Sequence, residues 1–134
     1  MQTYVSNPYE KYRQQGVMTA SPAELIVMLY VGCIKQIHLA QMHMKKQEAE
    51  AVNTSLQKAQ AIISELSMSL DHSYELSETL ADLYDFIFEE LVSANMSKDE
   101  KQLDPVVDIL NELKEAWETI AKDSKKTRYA ALEG

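Results

Sequence analysis

Three histidines, one cysteine and 21 acidic side chains are the groups in this 134-residue chain whose types could support a reaction. Carboxylate-rich metal centres in helical bundles use Glu-x-x-His on facing helices, and no Glu-x-x-His occurs here. Glu78, Asp82, Asp85 and Glu89 recur at i, i+4, i+7 and i+11, which is the spacing of one helical face. Leu80, Leu83 and Ile87 belong to another face of the same segment, so the carboxylates are expected to face water rather than a metal. His43-Met44-Lys45-Lys46 shows the His-x-x-Lys half of a phosphotransfer pattern, but Gln47 stands where that pattern needs glycine. His43 lies near an expected helix end and reads as an exposed bystander. His38 continues an apolar stripe, and His72 belongs to a turn. Cys33 sits inside an apolar segment, where a small buried thiol is expected rather than a nucleophile. A single cysteine forms no intramolecular disulfide and fits a reducing compartment. There is no glycine-rich phosphate loop and no nucleophile elbow. No catalytic residue, metal site or cofactor is expected, and the chain does not read as an enzyme.

The elements that position these groups can be read from periodicity. A chain of this length makes one domain that buries roughly two-thirds of its unfolded surface. Three glycines and three prolines leave few places to turn. Residues 1–20 hold Pro8, Gly16 and three tyrosines without a sustained period, and read as an irregular N-terminal arm. Ser21-Pro22-Ala23-Glu24 is a helix start, with Ser as N-cap, Pro at the first helical position and Glu closing a capping box. Ile26, Tyr30, Cys33, Ile37, Ala40 and Met44 follow at spacings of four and three. A second stripe, Val27, Val31, Ile34 and His38, runs beside the first. Val52, Leu56, Ala59, Ile63, Leu66 and Leu70 predict a second helix; Leu76, Leu80, Leu83, Ile87 and Leu91 a third. Val106, Leu110, Leu113, Trp117 and Ile120 predict a fourth after Asp104-Pro105, with a competing start at Ser97 to Glu100. Expected spans are about 22–46, 49–70, 74–95 and 105–122, ending in a flexible tail over 124–134. The first junction, "KKQEAEA", has neither Gly nor Pro, so its boundary is the least marked. No period-two alternation lasts long enough for a strand. Four helices of about twenty residues, each ~30 Å long, predict an all-α, antiparallel up-down four-helix bundle.

Charge narrows the partners. The net charge is −8, and from Ala59 to Ser97 there is no Lys or Arg while eight Asp and Glu side chains fall there. Such a surface repels phosphate backbones and anionic lipid, so no nucleic-acid partner is expected. No segment is expected to reach the ~20 apolar residues that cross a membrane. The opening residues lack the basic and apolar regions of a signal peptide, and a cytoplasmic protein without membrane insertion is expected.

What remains is surplus apolar surface. "SPAELIVMLYVGCI", residues 21–34, is apolar at nearly every position after Glu24, whereas a surface helix needs only one stripe. Either this helix is central to the fold or part of it awaits a partner; periodicity leaves both open. The run "NPYEKYRQQGVMTASPAELIVMLYVGCI" resembles the opening of the flagellin export chaperones, the FliS family. "AQAIISELSMSLD", "LADLYDFIFEELVSAN" and a terminal helix reaching Trp117 agree with that family in order and spacing, so the likeness spans residues 7 to about 118. The resemblance implies a four-helix bundle that binds the disordered C-terminal segment of flagellin, prevents its premature polymerisation and helps present it to the export gate, whose components are further implied partners. It implies no catalysis. On that reading Tyr9, Tyr12 and Met18 of the arm, Leu25, Ile26, Met28 and Leu29 of the first helix, and Leu83, Tyr84 and Ile87 of the third are the candidate partner-binding residues. Where the family usually reads Leu-Tyr-Asp-Gly-Ala, this chain has Leu29-Tyr30-Val31-Gly32-Cys33. A homodimeric adaptor bundle and a phosphotransfer module are the alternatives.

Overall fold

The computed structural model describes residues 20–133, with side chains through residue 123. Tyr9, Tyr12, Met18 and the rest of the expected arm lie outside the described residues. Four helices follow one another: α1 Pro22–Lys45, α2 Ala49–Met68, α3 Leu76–Ser97 and α4 Asp104–Glu133, with a 3-10 turn at Glu100–Leu103. No strand occurs among the described residues, and the all-α four-helix bundle expected from periodicity is the fold.

Local chemistry sets the ends. The Ser21 hydroxyl accepts from the Glu24 amide at 3.2 Å, and the Glu24 carboxylate accepts from the Ser21 amide at 2.9 Å, so the capping box is complete. The unmarked first junction closes without glycine. Gln47 takes φ 58°, the Gln47 amide donates to Met44 and the Glu48 amide to His43 at 3.0 and 2.9 Å, the bond pattern of a Schellman cap. His43 is tied into the same turn, its Nδ1 lying 2.8 Å from a Glu48 carboxylate oxygen. Asp71 accepts from the Ser73 amide and hydroxyl, and α3 starts at Leu76, two residues later than expected. Asp99 caps the 3-10 turn by accepting from the Lys101 amide, and that turn runs directly into α4, so the competing early start and the Asp-Pro start are parts of one entry. The α4 backbone stays helical to Glu133, past the boundary near 122 expected from the sequence; neither Gly nor Pro interrupts it before Gly134.

Packing makes α1 the middle of the molecule. It lies against α2 on one side and α4 on the other, and α3 packs on α2. Leu29, Tyr30, Cys33, Ile37 and Ala40 are fully buried among Leu56, Ala59, Ile63, Leu91, Val106 and Leu110. Buried Gly32 and the small Cys33 and Ala59 let α1 approach α2, and the Cys33 thiol donates to the Ala59 carbonyl at 3.8 Å. By length and composition α1 does pass as a membrane span, contrary to the expectation that no segment would. The same apolar run supplies the inner face of a central helix and an outer face besides.

Two expected stripes are turned relative to the real core. On α3 the buried face is Ser77, Tyr84, Ile87, Leu91 and Ala94, so Leu83 is half-buried and Leu76 is 65% exposed. On α4 the buried set is Val106, Val107, Leu110 and Ala121, with Leu103 of the 3-10 turn beside them, and Ile120 is 46% exposed. A strict heptad drifts by about 20° per repeat on a straight helix, so a stripe that is central at one end of a helix leaves the centre at the other: at the start of α3 and toward the end of α4.

Candidate protein-interaction surface

Tyr30 and Tyr84 anchor the middle of the bundle. Both are buried, their rings tilt by 46° with centroids 6.5 Å apart, and their hydroxyls share a hydrogen bond that joins α1 to α3. The half-buried Trp117 indole of α4 packs against the same core. Burial first, then the neighbouring Tyr84, pushes the Tyr30 phenol far above its usual range, and burial raises Tyr84 as well. Both phenols are therefore neutral hydrogen-bonding groups across the ordinary pH range. Burial likewise pushes the Cys33 thiol up to about 12, which removes it as a nucleophile. Among the described residues no group of three or more His, Cys, Asp or Glu side chains converges as metal ligands. The arrangement offers shape and apolar surface, not acid-base or metal chemistry.

One stretch of apolar surface lies where α3 meets α4. These two helices are joined through the 3-10 turn, yet they make no extended close packing of the kind that closes α1 on α2, α1 on α4 and α2 on α3. Hydrogen bonds fix which flanks face each other. Asn95 donates to Asn53 at 2.8 Å, placing one flank of α3 against α2. Gln41 donates to Asp104 at 2.9 Å, placing one flank of α4 against α1. At 3.6 residues per turn, the opposite flanks carry Leu83 and Phe86 on α3, and Ile109, Leu113 and Ile120 on α4. Phe86 and Ile120 are exposed, and the others are half-buried against the core. Tyr30, Tyr84 and Trp117 lie beneath this seam and hold its two walls to α1.

The residues singled out from the sequence divide by depth. Leu25, Leu29, Tyr84 and Ile87 are buried in the bundle, while Ile26, Met28 and Leu83 are half-buried. Tyr84 and Ile87 thus form the base under the seam and Leu83 its rim. Phe86, Ile109, Leu113 and Ile120 were not singled out. Their apolar character was visible, but only the packing order of the helices puts them on one unclosed edge. The second stripe of α1 faces outward, with Val31 49% exposed and Val27 and Ile34 half-buried. Glu78, Asp82, Asp85 and Glu89 all face solvent.

Comparison with known proteins places the sequence in one family. The family model described as "Flagellar protein FliS" matches residues 5–124. The flagellar secretion chaperone FliS of Bacillus subtilis (strain 168) is 37% identical over 127 residues, covering 95% of this chain and 96% of that one. The flagellar secretion chaperone FliS of Salmonella typhimurium is 30% identical over 125 residues, 88% of this chain and 93% of its own. These matches run almost end to end, and the chain belongs to the FliS family of flagellar secretion chaperones.

Proposed function

We propose that the chain acts in the cytoplasm by binding the C-terminal segment of flagellin, keeping it from polymerising early and assisting its delivery to the flagellar export apparatus. The observation that carries this reading is the unclosed α3–α4 seam, where apolar rows on two helices face each other without closing. Such a seam suits a client that is disordered when free and lays an amphipathic helix along it when bound. Leu83, Phe86, Leu113 and Ile120 supply the contacts, with Ile26 and Met28 extending them on α1. The arm residues Tyr9, Tyr12 and Met18 serve as a displaceable cover or complete the site around the bound segment. No reaction is assigned to the chain.

The test is titration of a labelled synthetic flagellin C-terminal peptide into the full chain and into a Phe86→Ser/Ile120→Ser variant. Burying a large apolar side chain contributes ~1.5–3 kcal/mol; two half-exposed ones should change affinity by about tenfold or more. Weaker binding with an unchanged thermal melt supports the reading. No binding by the parent chain overturns it. A stable dimer in light scattering that the same substitutions dissolve would give the seam to a second copy instead.

A further inference from the structure

The α2-side flank of α3 also carries an apolar strip that is exposed beyond its contact with α2. Phe88, Val92 and Met96 follow one another at i, i+4 and i+8; Phe88 is half-buried, while Val92 is exposed and Met96 is 82% exposed. With Glu89, Ser93 and Ser97 they line a shallow depression. By helical register this strip lies toward α2, away from Leu83 and Phe86. Glu78, Asp82, Asp85 and Glu89 continue it toward the start of α3, and none of these four carboxylates is ion-paired among the described residues. The cations nearest in sequence do not answer them. Lys98 ends the helix at φ 58° and turns its ammonium back onto the Asn95 side chain at 2.8 Å. Lys58, the one cation of α2, falls on a different side of that helix from Asn53, which marks the α3-facing flank.

We propose that this flank is a second docking surface, separate from the seam, whose occupant is a basic amphipathic helix of another protein. The apolar end of that helix would rest on Phe88, Val92 and Met96, and its Lys or Arg side chains would run along Glu78, Asp82, Asp85 and Glu89. The charge pattern selects this occupant. A second copy about a two-fold axis would set acidic stripe against acidic stripe in parallel register, at a cost in repulsion, and carboxylates against Phe88, Val92 and Met96 in antiparallel register, so neither pairing answers the charges. A purely apolar segment would leave the stripe unused, and an acidic one would be repelled by it.

The probe is a synthetic amphipathic peptide of about 18 residues, matching the ~27 Å from Glu78 to Met96. It carries leucines toward one end and lysines at i, i+4, i+7 and i+11, and its control has glutamate for lysine. Anisotropy titrations use the full chain, with circular dichroism confirming that each variant is folded. Val92→Ser/Met96→Ser should weaken the lysine peptide about tenfold, and Asp82→Asn/Glu89→Gln should weaken it similarly while flattening its salt dependence. Neither variant should alter binding of the flagellin peptide, and Phe86→Ser/Ile120→Ser should not alter binding of the lysine peptide. Equal binding by all variants would reduce the effect to unspecific charge attraction and overturn the proposal. Competition between the two peptides would place the probe in the seam, with the same consequence. Tighter probe binding after deletion of residues 1–17 would make the chain's own arm the occupant, and self-association lost in Val92→Ser/Met96→Ser would make it a second copy; either result overturns the assignment to another protein.

Discussion

Tyr30 joins α1 to α3 through one oxygen, sharing a hydrogen bond with Tyr84. Removing either oxygen leaves the other buried hydroxyl without its partner. A buried polar group left alone costs ~1–3 kcal/mol. Tyr30→Phe and Tyr84→Phe should therefore each destabilise, and the double variant should cost less than the sum by about 1 kcal/mol. Denaturant unfolding of the four proteins measures this; strict additivity would mean the two hydroxyls are not coupled. Cys33 makes a pH-dependent contribution. Its folded-state value is raised from 9.0 to about 12 by burial, so between those values the folded chain holds a proton that the unfolded chain has lost. Stability is full below about pH 9 and falls as pH rises, by at most ~1.4 kcal/mol per pH unit from this group. Cys33→Ala should remove that part of the alkaline loss, read as a flatter stability profile between pH 9 and about 11. The thiol's burial was legible from its apolar neighbours. The tyrosine pair was not, because Tyr30 and Tyr84 are 54 positions apart and nothing local links them.

At the scale of elements, the first helix start was fully legible because its cap uses side chains four residues apart or fewer. The first turn was not, since it relies on a left-handed Gln47 where sequence reasoning looks for glycine or proline. A non-glycine residue in that region costs ~1 kcal/mol, so Gln47→Gly should stabilise the chain by about 0.5–1 kcal/mol without changing its helix content. A thermal melt checks this, and a loss of stability would show that the Gln47 side chain matters more than its backbone. The stripes of α3 and α4 held at Ile87, Leu91, Val106 and Leu110 and failed at Leu76 and Ile120. Hydrophobicity alone ranks Leu76 above Ser77 and Ile120 above Ala121, but the crowded inner side takes the smaller residue in each case. The same displacement puts apolar side chains on the outer edges, where a partner can use them.

For the whole molecule, the question is whether the arm and a client compete for one surface. If Tyr9 and Tyr12 cover seam residues, deletion of residues 1–17 should raise binding of an apolar dye. It should also speed dissociation of the flagellin peptide, because an arm that covers the empty seam can clasp the filled one. No change in either would make the arm a mere leader. The sequence by itself determined that this is an all-helical, acidic chain with one helix too apolar for a surface role. Those features are set by composition and by spacings within a few residues, and the family likeness rested on short motifs kept in order. Only the tertiary structure decided which apolar residues are core and which are surface. That choice depends on which helix lies next to which, a matter of packing between segments tens of residues apart. α1 took the centre because its small residues let α2 approach on one flank while α4 covers the other, and α3, held by α2, was left with an open edge toward α4.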